Sequence, residues 1–270
     1  SDLATLPGGK GANQAVAAAK LGTSVAMLGR VGRDQLGQML LDNLRNQQVD
    51  VSAVRESDSA TGTAVILVNE QGQNCIVLSP GANGQVAPPD VQSAPQAKIM
   101  LLQLEIPLET VLYAAHWGKE RGMTVILNPA PARELPDELF ENVDIIVPNE
   151  SELSLLTGKP VTDYAQANAA IAALMERGAK QVILTMGERG AIAQVDFDSG
   201  YFLPAFEVNA VDTTAAGDAF IGGLAAAFAR GIVLPEALDY ANACGALAVT
   251  KFGAQPSLPS GQEVQAFLNQ

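Results

Sequence analysis

The chain has 270 residues, 48% apolar and 17% charged, a globular composition long enough for one large core and without a sign of bulk disorder. Its formal charge of −13, with no cluster of Lys and Arg, excludes the basic stripe of a nucleic-acid surface, yet backbone amides can still hold a phosphorylated ligand. No signal peptide and no apolar run of membrane-spanning length is present, so the expected setting is soluble and cytoplasmic.

In chain order, "GGKGAN" reads as a glycine-rich loop and leads into an alanine-rich helix over about 12–20, closed by Gly22. "SVAMLGRVG" predicts a strand, and the leucine spacing of "DQLGQMLLDNLRNQQ" predicts a helix. Two β-rich runs, 63–68 and 75–79, flank "NEQGQN" and predict a hairpin. From there strands and helices alternate. "KIMLLQLE", "TVILNPAPA" and "VDIIV" are apolar strands; "LETVLYAAHWGKERG", "NESELSLLTG" and "YAQANAAIAALMERGA" are helical. "QVILTMGERGAIAQV" gives strand, turn and strand, and two apolar helices begin near Ala216 and Leu234. Continuous apolar strands separated by helices predict a mostly parallel sheet covered on both faces. In such a sheet ligands bind beyond the carboxyl ends of the strands. Glu105 of "LQLE", "PNESE" (148–152) and "TMGERG" (185–190) all belong there.

"DTTAAGD" (212–218) sets a carboxylate at the mouth of a helix, behind residues with almost no side chain. The positive end of the helix dipole and the bare amides there suit an anion, and Asp218 beside that anion suits a general base. The plain alternative is an ordinary capped helix with Asp212 or Thr213 as N-cap. "GGKGAN" is neither a Walker A loop nor a dinucleotide fingerprint, but Lys10 and Asn13 offer donors to a polyol. Asn149 and Glu152 share a helix face, either as a capping box or beside a hydrated Mg²⁺. "NPAPA" (128–132) shapes a loop. The single histidine, His116, leaves nothing for a histidine metal site or a Ser-His-Asp triad, and Cys75 and Cys244 read as reduced, partly buried thiols.

Taken together, "GGKGANQAVAAA", "LQLE", "NPAPARELPDEL", "DIIVPNESE", "TMGERG", "VDTTAAGDAF" and "AVTKFGAQPS" resemble, in order and nearly end to end, the ribokinase (PfkB) family of carbohydrate kinases. The resemblance implies an α/β fold: a three-layer α/β/α ribokinase-like domain over 1–270, with a mostly parallel central sheet and a small β lid at about 61–80. It implies an ATP-dependent kinase acting on the primary hydroxyl of a pentose, with D-ribose expected and deoxyribose, fructose or a nucleoside as alternatives. A non-catalytic sugar- or nucleotide-binding protein of the same fold is a further alternative. Asp218 would be the base, with the amides of Ala215, Ala216 and Gly217 as anion hole. Gly9, Lys10, Asn13 and Glu105 match sugar-contacting positions; Asn149, Thr185, Gly187, Gly190, Gly217 and Asn242 match the nucleotide side. Glu152 would act through Mg²⁺-bound water. Asp212, Thr214, Ala248, Lys251, Gly253 and Ser257 match a K⁺ site of mostly backbone oxygens, unless Lys251 instead neutralises Asp212. The lid hairpin's exposed edges imply a homodimer. The family pattern also opens with a strand whose Asp grips the sugar, a strand expected to be missing ahead of "GGKGAN".

Overall fold

A computed structural model describes residues 5–68 and 74–270. The first half contains α1 (Lys10–Lys20), β1 (Val25–Gly32), α2 (Gln35–Asn46), β2 (Val49–Ser57), β3 (Thr63–Val68), β4 (Asn74–Ser79), α3 (Pro88–Val91), β5 (Ile99–Leu102), α4 (Leu108–Glu120) and β6 (Thr124–Leu127). There follow α5 (Glu138–Glu141), β7 (Ile145–Ile146), α6 (Glu150–Thr157), α7 (Tyr164–Glu176), β8 (Gln181–Thr185), β9 (Ala191–Gln194), β10 (Gly200–Leu203), α8 (Ala216–Ala229), α9 (Leu234–Val249) and α10 (Gly261–Leu268).

The main sheet has the order β10-β9-β8-β7-β6-β5, with β5 to β8 parallel and β9 and β10 antiparallel. Successive residues of its strands face opposite cores. Ile126, Ile145 and Ile183 join one cluster with α1, α8 and α9, while Val125, Leu127, Ile146 and Val182 join another with α4, α6 and α7. That period-two alternation between two apolar layers is why the strands read as continuous apolar runs, and it makes the three-layer sandwich. β1 and β2 form a separate parallel pair, and β3 and β4 an antiparallel one. The expected strand pair is therefore present, and residues 69–73 of the "NEQGQN" stretch read as its connection lie outside the described residues. No helix among the described residues is long and apolar enough to cross a membrane.

Small residues decide how closely the first layer packs. A Cβ on Gly222 of α8 would collide with the Ala17 side chain and approach the Gln14 carbonyl of α1 to 2.9 Å, and one on Gly223 would meet Cys244 Sγ of α9 at 2.8 Å. α8 is thus clasped between α1 and α9 at near-backbone distance, and this contact brings the first turns of α1 and α8 together. Cys244 is fully buried, and burial pushes its thiol up to about 12, so it is an inert packing residue.

β2, β10 and α10 were not anticipated. α1 starts at Lys10, two residues before the expected position, so Lys10 and Asn13 share its first turn.

Candidate active site

Four strand ends converge on one edge of the main sheet. β5 leads to Gln103 and Glu105, β6 to Asn128, β7 to Asn149, and β8 ends at Thr185. The first turn of α8 closes this edge. Its N-cap is Ala215, with φ at 61° and no side chain to cap the helix. The alternative with Asp212 or Thr213 as N-cap therefore does not hold. Ala216 N donates to the Thr213 carbonyl at 3.3 Å. Among the described residues no carbonyl accepts from the amides of Ala215, Gly217 or Asp218. A Cβ on Gly217 would meet nothing within 4 Å. A left-handed alanine thus ends the loop so that a helix begins with its amides open toward a cleft, the condition for an anion site.

Asp218, in that first turn, is buried, with 8% of its surface exposed. Its Oδ2 accepts from Asn13 Nδ2 at 2.9 Å and its Oδ1 from Gln14 Nε2 at 3.0 Å. Burial raises its carboxyl above the ordinary aspartate value, against the opposing pull of Asn13, Gln14 and the Lys10 charge. The helix dipole favours the ionised form and desolvation opposes it, and a carboxylate whose value is raised is the better proton acceptor. Glu105 caps α1 from outside, Oε2 accepting from Lys10 N at 2.8 Å beside Gly9, whose φ of 93° brings it to the carboxylate. Burial raises Glu105 as well. The four residues expected on the sugar side, Gly9, Lys10, Asn13 and Glu105, therefore lie in the first turn of α1 and beside it, next to Asp218.

A cleft of about 220 Å³ opens beside Lys10 and Asp218, lined also by Asn149, Glu152, Thr185 and Gly217, while Gly9, Asn13 and Glu105 are not among its lining residues. Asn149 and Glu152 form a full capping box. Asn149 Oδ1 accepts from Glu152 N at 2.8 Å, and Glu152 accepts from Asn149 N at 2.9 Å and Nδ2 at 3.0 Å. Both still face the cleft, and burial raises the Glu152 carboxyl. Gly187, Gly190 and Asn242 are not among the cleft's lining residues. Asn242 Nδ2 donates to the Pro204 carbonyl at 2.8 Å. Gly190, at φ 88°, lies so close to the Leu203 carbonyl that a Cβ would overlap it. Gly190→Ala should therefore cost about 3 kcal/mol through strain and overpacking, seen as a melting temperature several degrees lower. An unchanged melting temperature would contradict this packing role.

Behind the α8 loop, Asp212 accepts from Thr214 N and Gly253 N, each at 2.9 Å. Hydrogen bonding from Thr214, then from the Gly253 amide, holds its carboxyl below the ordinary value. The Lys251 ammonium turns instead to Glu263, 2.5 Å away, so it does not neutralise Asp212. The Ala248 carbonyl accepts from Lys251 N at 3.2 Å. No protein donor among the described residues reaches the carbonyls of Asp212, Thr214, Lys251, Gly253 or Ser257. Val249 O accepts from Val211 N at 2.7 Å and Asp212 N at 3.2 Å, so three hydrogen bonds tie the two segments, and unpaired carbonyls between segments held in this way suit a weakly charged hard cation.

Sequence reasoning missed Gln14, Gln103, Asn128 and Gln255. Gln14 donates to both Asp218 and Asn128 (3.1 Å) and accepts from Gln103 at 2.6 Å; Asn128, read as part of a shaping loop, is thereby wired to the carboxylate. The available signal was position: Gln14 follows Asn13 in α1, and Asn128 stands one residue past β6.

The pfkB family carbohydrate kinase model matches residues 1–261. Among curated proteins, deoxyribokinase of Salmonella typhi is 41% identical over 97% of this chain and 87% of its own length. Ribokinase of Haemophilus influenzae is 40% identical over the same shares. Among solved structures, Arabidopsis thaliana ribokinase complexed with ribose and ATP superposes with a TM-score of 0.91 at 34% identity, over 97% of this chain and 88% of that one. Ribokinase from Thermotoga maritima gives 0.90 at 36% identity, over 100% and 90%.

Proposed function

The chain belongs to the pfkB family of carbohydrate kinases, and on that premise we propose that it transfers the γ-phosphoryl group of ATP to the 5-hydroxyl of D-ribose. The observation that carries this reading is a buried carboxylate, Asp218, set in the same helical turn as the amides of Ala215, Gly217 and Asp218, which no carbonyl among the described residues takes up.

In this reading the sugar lies against the first turn of α1, held by Gly9, Lys10, Asn13 and Glu105. Asp218 accepts the hydroxyl proton as the sugar oxygen bonds to phosphorus and the bridging oxygen leaves with ADP. The Ala215–Asp218 amides receive the charge on the transferring group, each such donor worth roughly 3 kcal/mol in the transition state. At 3.3 Å the Ala216 bond to Thr213 is weak enough to yield to that charge. Asn149 and Thr185 take the nucleotide side of the cleft, with Gly187, Gly190 and Asn242 shaping its flank. Glu152 suits Mg²⁺ through water, since one carboxylate and bound waters are its usual holders and its own oxygens are already occupied by Asn149. When bound, Mg²⁺ neutralises phosphate charge.

The carbonyls around Asp212 and Gly253 fit K⁺, which would stiffen the loop ahead of Ala215 without touching ATP. Turnover at saturating ATP, Mg²⁺ and ribose should therefore rise as KCl is titrated into a sodium- and potassium-free buffer. An equal response to tetramethylammonium chloride would remove the cation site and leave the kinase standing.

A second reading, 2-deoxyribose as the preferred sugar, is favoured by the 41% identity to a deoxyribokinase. Comparing kcat/KM across ribose, deoxyribose, fructose and nucleosides decides between them: ribose leads under the first reading, deoxyribose under the second. The β3–β4 pair carries exposed Val65, Val77 and Leu78, and we read it as a lid that a two-fold partner covers. Sedimentation should show a dimer at micromolar concentration; a monomer there would end that reading.

A further inference from the structure

Gln255 is 5% exposed and is not among the residues lining the cleft described above, yet its side chain is the middle link of a chain of carboxamides that reaches the reacting carboxylate. Asn43 Nδ2 of α2 donates to Gln255 Oε1 at 2.7 Å. Gln255 Nε2 donates to Asn13 Oδ1 at 3.2 Å, and Asn13 Nδ2 donates to Asp218 Oδ2 at 2.9 Å. The sense of this chain is imposed from its far end. An ionised carboxylate only accepts, so Asn13 must present its NH₂ to Asp218 and its oxygen to the tail; that oxygen requires a donor, which fixes Gln255, and so on to Asn43.

We infer that Gln255 is a positioning residue for phosphoryl transfer, holding the Asn13 carboxamide with its NH₂ toward Asp218. Through it, the 253–258 segment acts on the base from two sides. Gly253 holds Asp212, at the head of the loop leading to Ala215, and Gln255 holds Asn13, on the carboxylate itself.

The segment does not depend on the Gln255 side chain for its shape. Lys20 Nζ of α1 donates to the backbone carbonyls of Gln255 at 3.0 Å and Leu258 at 2.9 Å, Ser257 Oγ donates to the Ala254 carbonyl at 2.7 Å, and Gly253 N reaches Asp212. A change confined to the Gln255 amide therefore tests its orienting role with the backbone held.

The inference rests on Asp218 as the proton acceptor, so its test is paired with Asp218→Asn. Kinetics with ATP and D-ribose are measured for Gln255→Met, Gln255→Glu, Asn13→Ala and the double variant Asn13→Ala/Gln255→Met, with melting temperatures alongside. Gln255→Met removes the donor at nearly constant volume. It should lower kcat about tenfold, the scale of one hydrogen bond to a charged group, with KM for ATP unchanged. Gln255→Glu keeps the shape but only accepts, so it draws the Asn13 NH₂ toward itself and should lower kcat further than Met does. In the Asn13→Ala background Gln255→Met should have no further effect on kcat, because Gln255 acts only through Asn13. A wild-type kcat in Gln255→Met, a full additional loss in the double variant, or a lower kcat that appears only with a collapsed melting temperature would each overturn the assignment. If Asp218→Asn is inactive while Gln255→Met is silent, only the positioning role falls. If Asp218→Asn turns over normally, both fall.

Discussion

Asp218→Asn is expected to lower kcat by at least about a hundredfold, the scale of a lost general base, with ATP still bound and the protein still folded. The substitution keeps the size of a side chain that is 8% exposed and leaves the neighbouring amides untouched. Burial already disfavours the charged carboxyl, so its neutral replacement removes a desolvation cost. Against that, the introduced carboxamide would present one NH₂ to the donors of Asn13 or Gln14 and force one of them to turn. These effects oppose each other, and the melting temperature should stay within a few degrees of wild type. The pH profile supplies an independent readout. A base must be ionised, so wild-type kcat should fall as pH drops through the Asp218 value, at a pH above that of an ordinary aspartate because burial raises it. Near-normal turnover in Asp218→Asn would show that the proton goes elsewhere.

Gly217→Val is expected to abolish transfer on a similar scale, for a steric reason. Gly217 has ordinary helical geometry, and an added Cβ meets no protein atom within 4 Å. On helix propensity alone the fold gains roughly a few tenths of a kcal/mol from losing glycine, so the substitution should not destabilise it. The space the side chain enters is the cleft itself, where the open amides face. A β-branched group there would shield donors worth roughly 3 kcal/mol each, or about a hundredfold in turnover. A folded Gly217→Val enzyme with wild-type rates would mean that no phosphoryl oxygen approaches this turn.

What was legible beforehand follows from the range of the forces involved. α8 and α9 are long apolar helices whose starts were placed at Ala216 and Leu234, and those are the observed starts. The strands that carry Glu105, Asn149 and Thr185 were readable because each packs apolar side chains on both faces and is hence uniformly apolar. β10 escaped because three of its four residues are exposed at a sheet edge, and α10 because it is short with only Val264 buried. The carboxamide wiring of the site was invisible for a different reason. Asn13 to Asp218 spans 205 residues and Gln255 to Asn13 spans 242, and no local period marks such pairs. The glycines show the converse. Gly190 matched a nucleotide-side position, and its immediate physical demand is the Leu203 carbonyl pressed against it. Gly222 and Gly223 carried no signal, although without them α1 and α9 could not close on α8.

The central claim is that this site moves a phosphoryl group from ATP onto a sugar's primary hydroxyl. Phosphorus NMR of the protein with ATP, Mg²⁺, KCl and D-ribose tests it most directly. Ribose 5-phosphate should grow one for one with ADP, with no inorganic phosphate. ADP accompanied only by inorganic phosphate, or phosphate attached at the anomeric carbon, would contradict it.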